Sequence, residues 1–259
     1  PLVEAALAAA QGGVGLCSFS HIVSIPALVL PVKELAAACR RAGALTLIDG
    51  AHVPGNLELD VPSLGADFYV GNGHKHLYTS RGVCLLWARA DAQKYLYPLV
   101  IDGSPPNTGT PFEQAFMYQG TSDDLTRYIS LRAALAWRAW LGEAAVVQYT
   151  HGLATQACAH LSQQWGTRAL SPDVQANMCN VELPCKADCP AQLGYTLYRK
   201  YDYYIPFFEW AGSTWMRITC TVYNEMSDIE LVARTVPEAL AAAPRAAAVE
   251  ELPTQRRID

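Results

Sequence analysis

Through the first half of the chain, short apolar runs of β character alternate with helical stretches, the signature of a mostly parallel sheet with covering helices. "PLVEAALAAA" opens the chain in a helical pattern, and "VGLCSFSHI" (Val14 to Ile22) reads as a strand. In "PVKELAAACRRAG" the apolar residues Val32, Leu35, Ala36 and Cys39 share a face, Pro31 suits a first helical turn and Gly43 is the stop. "ALTLID" (Ala44 to Asp49) is a continuous apolar run ending in a carboxylate, as buried parallel strands do when a site lies at their carboxyl ends. "DFYVGN" and "GVCLLWAR" are two further strands, flanking the polar, glycine-containing segment that holds "HKH".

The Pro/Gly-rich "IDGSPPNTGTP" reads as a loop closing this block. Beyond it, "SDDLTRYISLRAALAWRAWLG" predicts a long helix with Ser122 as N-cap, and a second helix runs from Glu143 to about Gly166. After Pro172 the texture changes to strands, "NMCNVELP" and "WMRITCTVY", with helices over 191–201 and 227–242. The pattern therefore divides the chain into a large α/β unit (1–140), a smaller α+β unit (141–245) and a low-complexity tail (246–259) expected to be frayed or disordered.

Composition narrows the possibilities. A chain of 259 residues that is 51% hydrophobic and 17% charged is globular and can bury a large core. A net charge of -5 without a basic block argues against nucleic acid as a partner. No apolar run reaches the roughly 18 residues of a membrane span, and no signal peptide opens the chain, so the expectation is a soluble protein with no membrane partner. Eight cysteines are scattered without a CxxC pair; they read mostly as buried free thiols, as in a reducing compartment, the cytoplasm or an organelle stroma.

Two residues suggest chemistry together. Asp49 ends a buried strand, and Lys75 lies one strand further on. Alone, Asp49 could cap its turn and Lys75 could be a solvated loop cation. At the ends of neighbouring strands, a lysine and a carboxylate are what pyridoxal phosphate chemistry needs: an amine to hold the cofactor as a Schiff base and a carboxylate to keep the pyridine nitrogen protonated. Metal binding by Asp49, His52, His74 and His76 is the competing reading. It leaves the lysine unexplained, because on an extended strand His74 and His76 would face away from it.

"LTLIDGAHVPG", "ADFYVGNGHKHLYTSRGVCLLW", "YQGTSDD" and "WMRITCTVYNEMSDIE" occur in that order, and together they resemble the class V aminotransferases, fold-type I pyridoxal phosphate enzymes. The likeness is to the branch containing isopenicillin N epimerases, L-cysteine desulfhydrase-like proteins and the sulfoxide lyases of ergothioneine synthesis. The resemblance implies a homodimer acting on an amino-acid substrate. It implies Lys75 as the Schiff-base lysine, Asp49 on the pyridine nitrogen, His52 beside the ring hydroxyl, and Asn72 and His74 at the cofactor phosphate. Thr121, after Gly120, falls in the segment lent to that phosphate by the partner subunit, and Ser24 matches a polar residue facing the cofactor. Arg217, interrupting the apolar "WMRIT", matches the arginine that grips the substrate carboxylate, and its planar fork suits that task.

The family's large domain includes a further segment ahead of the region matched by Pro1, carrying a phosphate-binding turn and a ring-stacking residue. The expectation is therefore an N-terminally truncated fold, with any targeting segment also preceding Pro1. Within the family, a carbon–sulfur lyase of the cysteine-desulfhydrase type is favoured, an epimerase or aminotransferase is the alternative, and a catalytically incompetent remnant is the rival from another class. A persulfide-forming desulfurase is disfavoured, since no cysteine lies in an evident Gly/Ser-rich loop.

Overall fold

The computed structural model describes residues 2–10, 12–99, 112, 116, 125–170, 176–185 and 192–242. The chain forms two compact units, Pro1–Tyr149 and Thr150–Asp259.

The first unit is built on a four-stranded sheet in the order β1 (Leu16–Ser20), β4 (Leu45–Gly50), β5 (Phe68–Asn72), β6 (Cys84–Ala88). The first three strands are parallel and β6 runs antiparallel to β5. Helix α1 (Leu2–Ala9) packs on α2 (Val32–Arg41), and α2 packs on β4, burying Val32, Ala36, Ala38 and Cys39. Pro31 is the residue before the helix rather than part of its first turn, and Gly43 ends the helix with φ +76°. A short turn of helix, α3 (Val61–Leu64), precedes β5.

The run Val14 to Ile22, expected as one strand, divides in two. After Ser20 the chain leaves the sheet, and β2 (Ile22–Val23) pairs antiparallel with β3 (Leu28–Val29) in a hairpin containing the cis Ile25–Pro26 bond. His21 is the pivot: its N–H donates to the Asp49 carbonyl at 2.8 Å and its carbonyl accepts from Leu30 N–H at 2.9 Å.

Buried Asp67 sets the register at the amino ends of β4 and β5. Its carboxylate accepts from Thr46 N–H at 2.7 Å and from Arg89 at 2.5 Å, so a carboxylate that would be costly alone is paired on both oxygens. At the opposite ends of the same strands stand Asp49 and Asn72.

Helix α4 (Thr126–Leu141) closes the first unit in sequence; the expected cap Ser122, the loop 101–111 and the tail 246–259 lie outside the described residues. Helix α5 (Glu143–Trp165) continues into the second unit. There an antiparallel sheet in the order β7 (Met178–Glu182), β9 (Ser213–Thr219), β8 (Phe207–Trp210) carries α6 (Leu193–Tyr201) and α7 (Met226–Ala242). Leu161, Val181, Leu197, Met216 and Val236 form a fully buried core here. Strand β8 has no clear counterpart in the alternation read from the sequence, since Phe207 and Phe208 are half-buried and Glu209 and Trp210 exposed.

Cys39, Cys158, Cys179 and Cys220 are buried free thiols, Cys17 is half-buried and Cys84 exposed. Cys185 departs from the expected pattern and is disulfide-bonded.

Candidate active site

The carboxyl ends of β4 and β5 carry the polar residues singled out in the sequence. Asp49 and Val70 are register partners on these adjacent parallel strands, and Lys75 follows β5 by three residues. Asp49 Oδ1 accepts from Ala51 N–H at 2.9 Å, so the carboxylate does cap its turn, one of the two roles open to it. His52, in that turn, is buried, and its Nε2 lies 3.2 Å from Lys75 Nζ. This pair, joining two loops 23 residues apart in sequence, is the centre of the site.

Lys75 is on a turn and not on a strand. β5 ends at Asn72; Gly73 N–H donates to Val83 carbonyl at 2.9 Å and Gly73 carbonyl accepts from Thr79 N–H at 3.2 Å, folding 73–79 back on itself. Strand alternation therefore does not apply to His74, Lys75 and His76, which corrects the argument that placed both histidines opposite the lysine. His76 is buried, with its ring 5.9 Å from that of His52, whereas Lys75 and His74 are half-buried. His74 Nδ1 is 3.4 Å from the Val83 carbonyl, and a ring nitrogen facing a carbonyl carries the proton. Asn72 Oδ1 accepts a weak bond from Cys84 Sγ at 3.6 Å. No group of three or more His, Cys, Asp or Glu side chains suited to a metal occurs among the described residues.

Ser24 lies exposed in the β2–β3 hairpin. Arg217 is on β9 of the second unit, opposite Asn180, with its N–H on the Pro206 carbonyl at 3.1 Å. Burial pulls its guanidinium below the ordinary value, offset in part by Tyr204; arginine remains a cation under such a shift. Thr121 lies outside the described residues.

Three residues at this site were not found from the sequence. Tyr69 is buried in β5 and crosses Gly50, where a Cβ would stand 2.0 Å from its hydroxyl, to reach His21 Nδ1 at 3.2 Å. Burial, and then the nearby Asp49 charge, push the Tyr69 phenol above its usual range, while burial lowers His21, so both are neutral near pH 7. The third is Arg138 of α4, buried and bonded to the backbone of both site turns. Its sequence signal was an arginine inside the apolar run "ALAWRAWLG".

A profile of the family described as Aminotransferase class-V matches residues 3–191. Isopenicillin N epimerase of Amycolatopsis lactamdurans is 30% identical over 254 residues, which cover 92% of this chain and 63% of that protein. L-cysteine desulfhydrase-like protein lolT1 of Epichloe uncinata is 28% identical over 275 residues, covering 85% of this chain and 60% of that one. Among solved structures, the apo cysteine desulfurase of Thermococcus onnurineus NA1 superposes with a TM-score of 0.73 at 18% identity, over 93% of this chain and 62% of that one. A lysine-to-alanine mutant of C-DES, with glycine covalently linked to its PLP cofactor, gives 0.75 at 20%, over 90% and 63%. At such identities the structural likeness establishes the fold, that of fold-type I. The chain spans about three fifths of the length of these relatives.

Proposed function

The chain belongs to the class V aminotransferase family, and from that premise we propose that it is a pyridoxal phosphate-dependent enzyme acting on an amino acid, with Lys75 as Schiff-base partner and general acid/base. The observation that carries the reading is the half-buried Lys75 amine 3.2 Å from His52 Nε2, beside the strand that ends in Asp49.

The donor set fits the group. An amine, a carboxylate on the adjacent strand end and an imidazole whose Nε2 can donate when protonated are the three kinds of contact that the cofactor's aldehyde, ring nitrogen and phosphate require. When bound, pyridoxal phosphate supplies a protonated pyridine ring that accepts the electron pair left on the substrate's Cα. Asp49 would hold the proton on the ring nitrogen, and His74 and Asn72 would bind the phosphate together with Thr121 of a second copy of the chain. Ser24 would face the cofactor, and Arg217 would take the substrate carboxylate in its fork. His52 would stand beside the ring hydroxyl and, across the 3.2 Å to Lys75 Nζ, would hold or pass a proton there. As the free amine, Lys75 removes the α-proton.

For the outcome we favour carbon–sulfur lyase chemistry of the cysteine-desulfhydrase type. The Cβ–S bond breaks, sulfur leaves as hydrosulfide with the bonding pair, and the remaining three-carbon enamine takes up water to give pyruvate and ammonium. The likeness to lolT1 supports this reading; the 30% identity to an isopenicillin N epimerase favours a second one, in which Cα is reprotonated from the other face.

Mixing the purified protein with pyridoxal phosphate is expected to produce an absorbance band at the violet edge of the visible range, absent in Lys75→Ala. No band in wild type would overturn the cofactor assignment. Release of sulfide and pyruvate from L-cysteine supports the lyase, whereas inversion at Cα without sulfide would replace it with the epimerase.

A further inference from the structure

We propose that Arg138 is a positioning residue of this site, holding the Lys75 amine in register with His52 by clamping the two turns that carry them. Its guanidinium is only 1% exposed. Nη1 donates to the His76 carbonyl at 2.8 Å and Nη2 to the Gly55 carbonyl at 2.9 Å. His76 is the residue after Lys75, and Gly55 lies three residues after His52. One rigid planar group thus spans the two backbone segments whose side chains meet at Nζ and Nε2.

The clamp is itself fixed from behind. Arg138 Nε donates to Glu143 Oε2 at 2.7 Å and Nη2 bonds Glu143 Oε1, a two-pronged pairing with a residue that begins the next helix and is 56% exposed. The Tyr78 ring, on the lysine turn, lies 5.4 Å from the guanidinium carbon and is met edge-on by Trp137. Tyr78 adopts a positive φ of 63°, a conformation that surrounding contacts must maintain. Ser130, two turns earlier on α4, accepts from Ser80 N–H at 3.0 Å. Helix α4 therefore holds the lysine turn from His76 to Ser80, and Arg138 is the point where that hold reaches the histidine turn as well. A buried cation costs free energy unless fully paired, and here the pairing is made with site backbone and one outer carboxylate.

The catalytic consequence rests on Lys75 being the reactive amine of the proposed function; the positional claim does not, and the test separates them. In cofactor-free protein, the ring C–H signal of His52, assigned by its loss in His52→Gln, is followed by NMR with and without Lys75→Met. The shift caused by Lys75→Met in wild type should shrink at least about twofold in an Arg138→Met background, the signature of lost coupling between neighbours. Arg138→Lys keeps a charge but not the fork and should fail to restore it. If the Arg138 variants do not fold, Glu143→Ala, at an exposed position, frees the guanidinium from its anchor and should diminish the shift in the same direction. An undiminished shift in every folded variant overturns the proposal. With pyridoxal phosphate added, the variants should form the visible band about tenfold more slowly, as small misplacements of a reacting group do. If wild type forms no band, the proposed function fails and the NMR comparison still decides the role of Arg138.

Discussion

Gly55→Ala perturbs the turn that carries His52 where it meets the backbone of the lysine turn. Gly55 has φ +79°, and a Cβ built there would stand 2.4 Å from the His76 carbonyl oxygen, a backbone atom that no side-chain rotation can remove. Ordinary contact begins at 3.4 Å, so one of the two turns must yield by about 1 Å. The left-handed conformation costs about 1–2 kcal/mol for an L residue, and forcing an extra methyl into a packed site adds about 1–3 kcal/mol. The expected loss is roughly 2–5 kcal/mol, or about 10 °C in the melting temperature of a chain this size. Gly43→Ala is the control: its φ is +76° but nothing lies within 4 Å of the added carbon, so it reports the conformational cost alone. Urea unfolding of both variants, followed through the first unit's transition, measures the difference. If Gly55→Ala is no more destabilised than Gly43→Ala, the two turns are not packed as described, and the clamp assigned to Arg138 loses its basis.

Two other outcomes are expected. Arg168 beside Glu182, with bonds at 2.7 and 2.9 Å, holds the Glu182 carboxyl at about 2, against an ordinary value of 4.5. A carboxyl whose pKa is depressed by folding adds stability above its unfolded value and loses it as the pH falls through the folded one. Glu182→Gln should therefore be destabilised near pH 7 and converge with wild type between pH 4.5 and about 2 in acid titrations followed by circular dichroism; added salt should weaken the effect because Arg168 is exposed. Tyr69→Phe removes the hydroxyl bonded to His21 across Gly50, and urea unfolding should show a loss of about 1–2 kcal/mol; a loss below about 0.5 kcal/mol would mean that this buried bond contributes nothing net.

The sequence by itself determined the alternation of strands and helices in the first unit, while the order of its sheet and the antiparallel run of β6 came from the tertiary structure. Parallel strands buried on both faces must be nearly continuous in apolar residues, and "ALTLID" and "DFYV" are. It also singled out Asp49 and Lys75 as candidates, because an ionisable group at or just beyond the end of such a strand stands out. Tertiary structure decided how these groups are supported. A turn replaced the expected extended geometry around Lys75, since the Gly73 hydrogen bonds to Thr79 and Val83 close it, and no periodicity reports a loop of that kind. The His52–Lys75 contact, the Tyr69–His21 bond across Gly50 and the Arg138 clamp each join residues distant in the chain: 23, 48 and 62 or 83 positions apart. Side-chain spacing in sequence carries information only over a helical turn or a few strand positions, so contacts across such separations exist only once the sheet and helix α4 have brought the segments together.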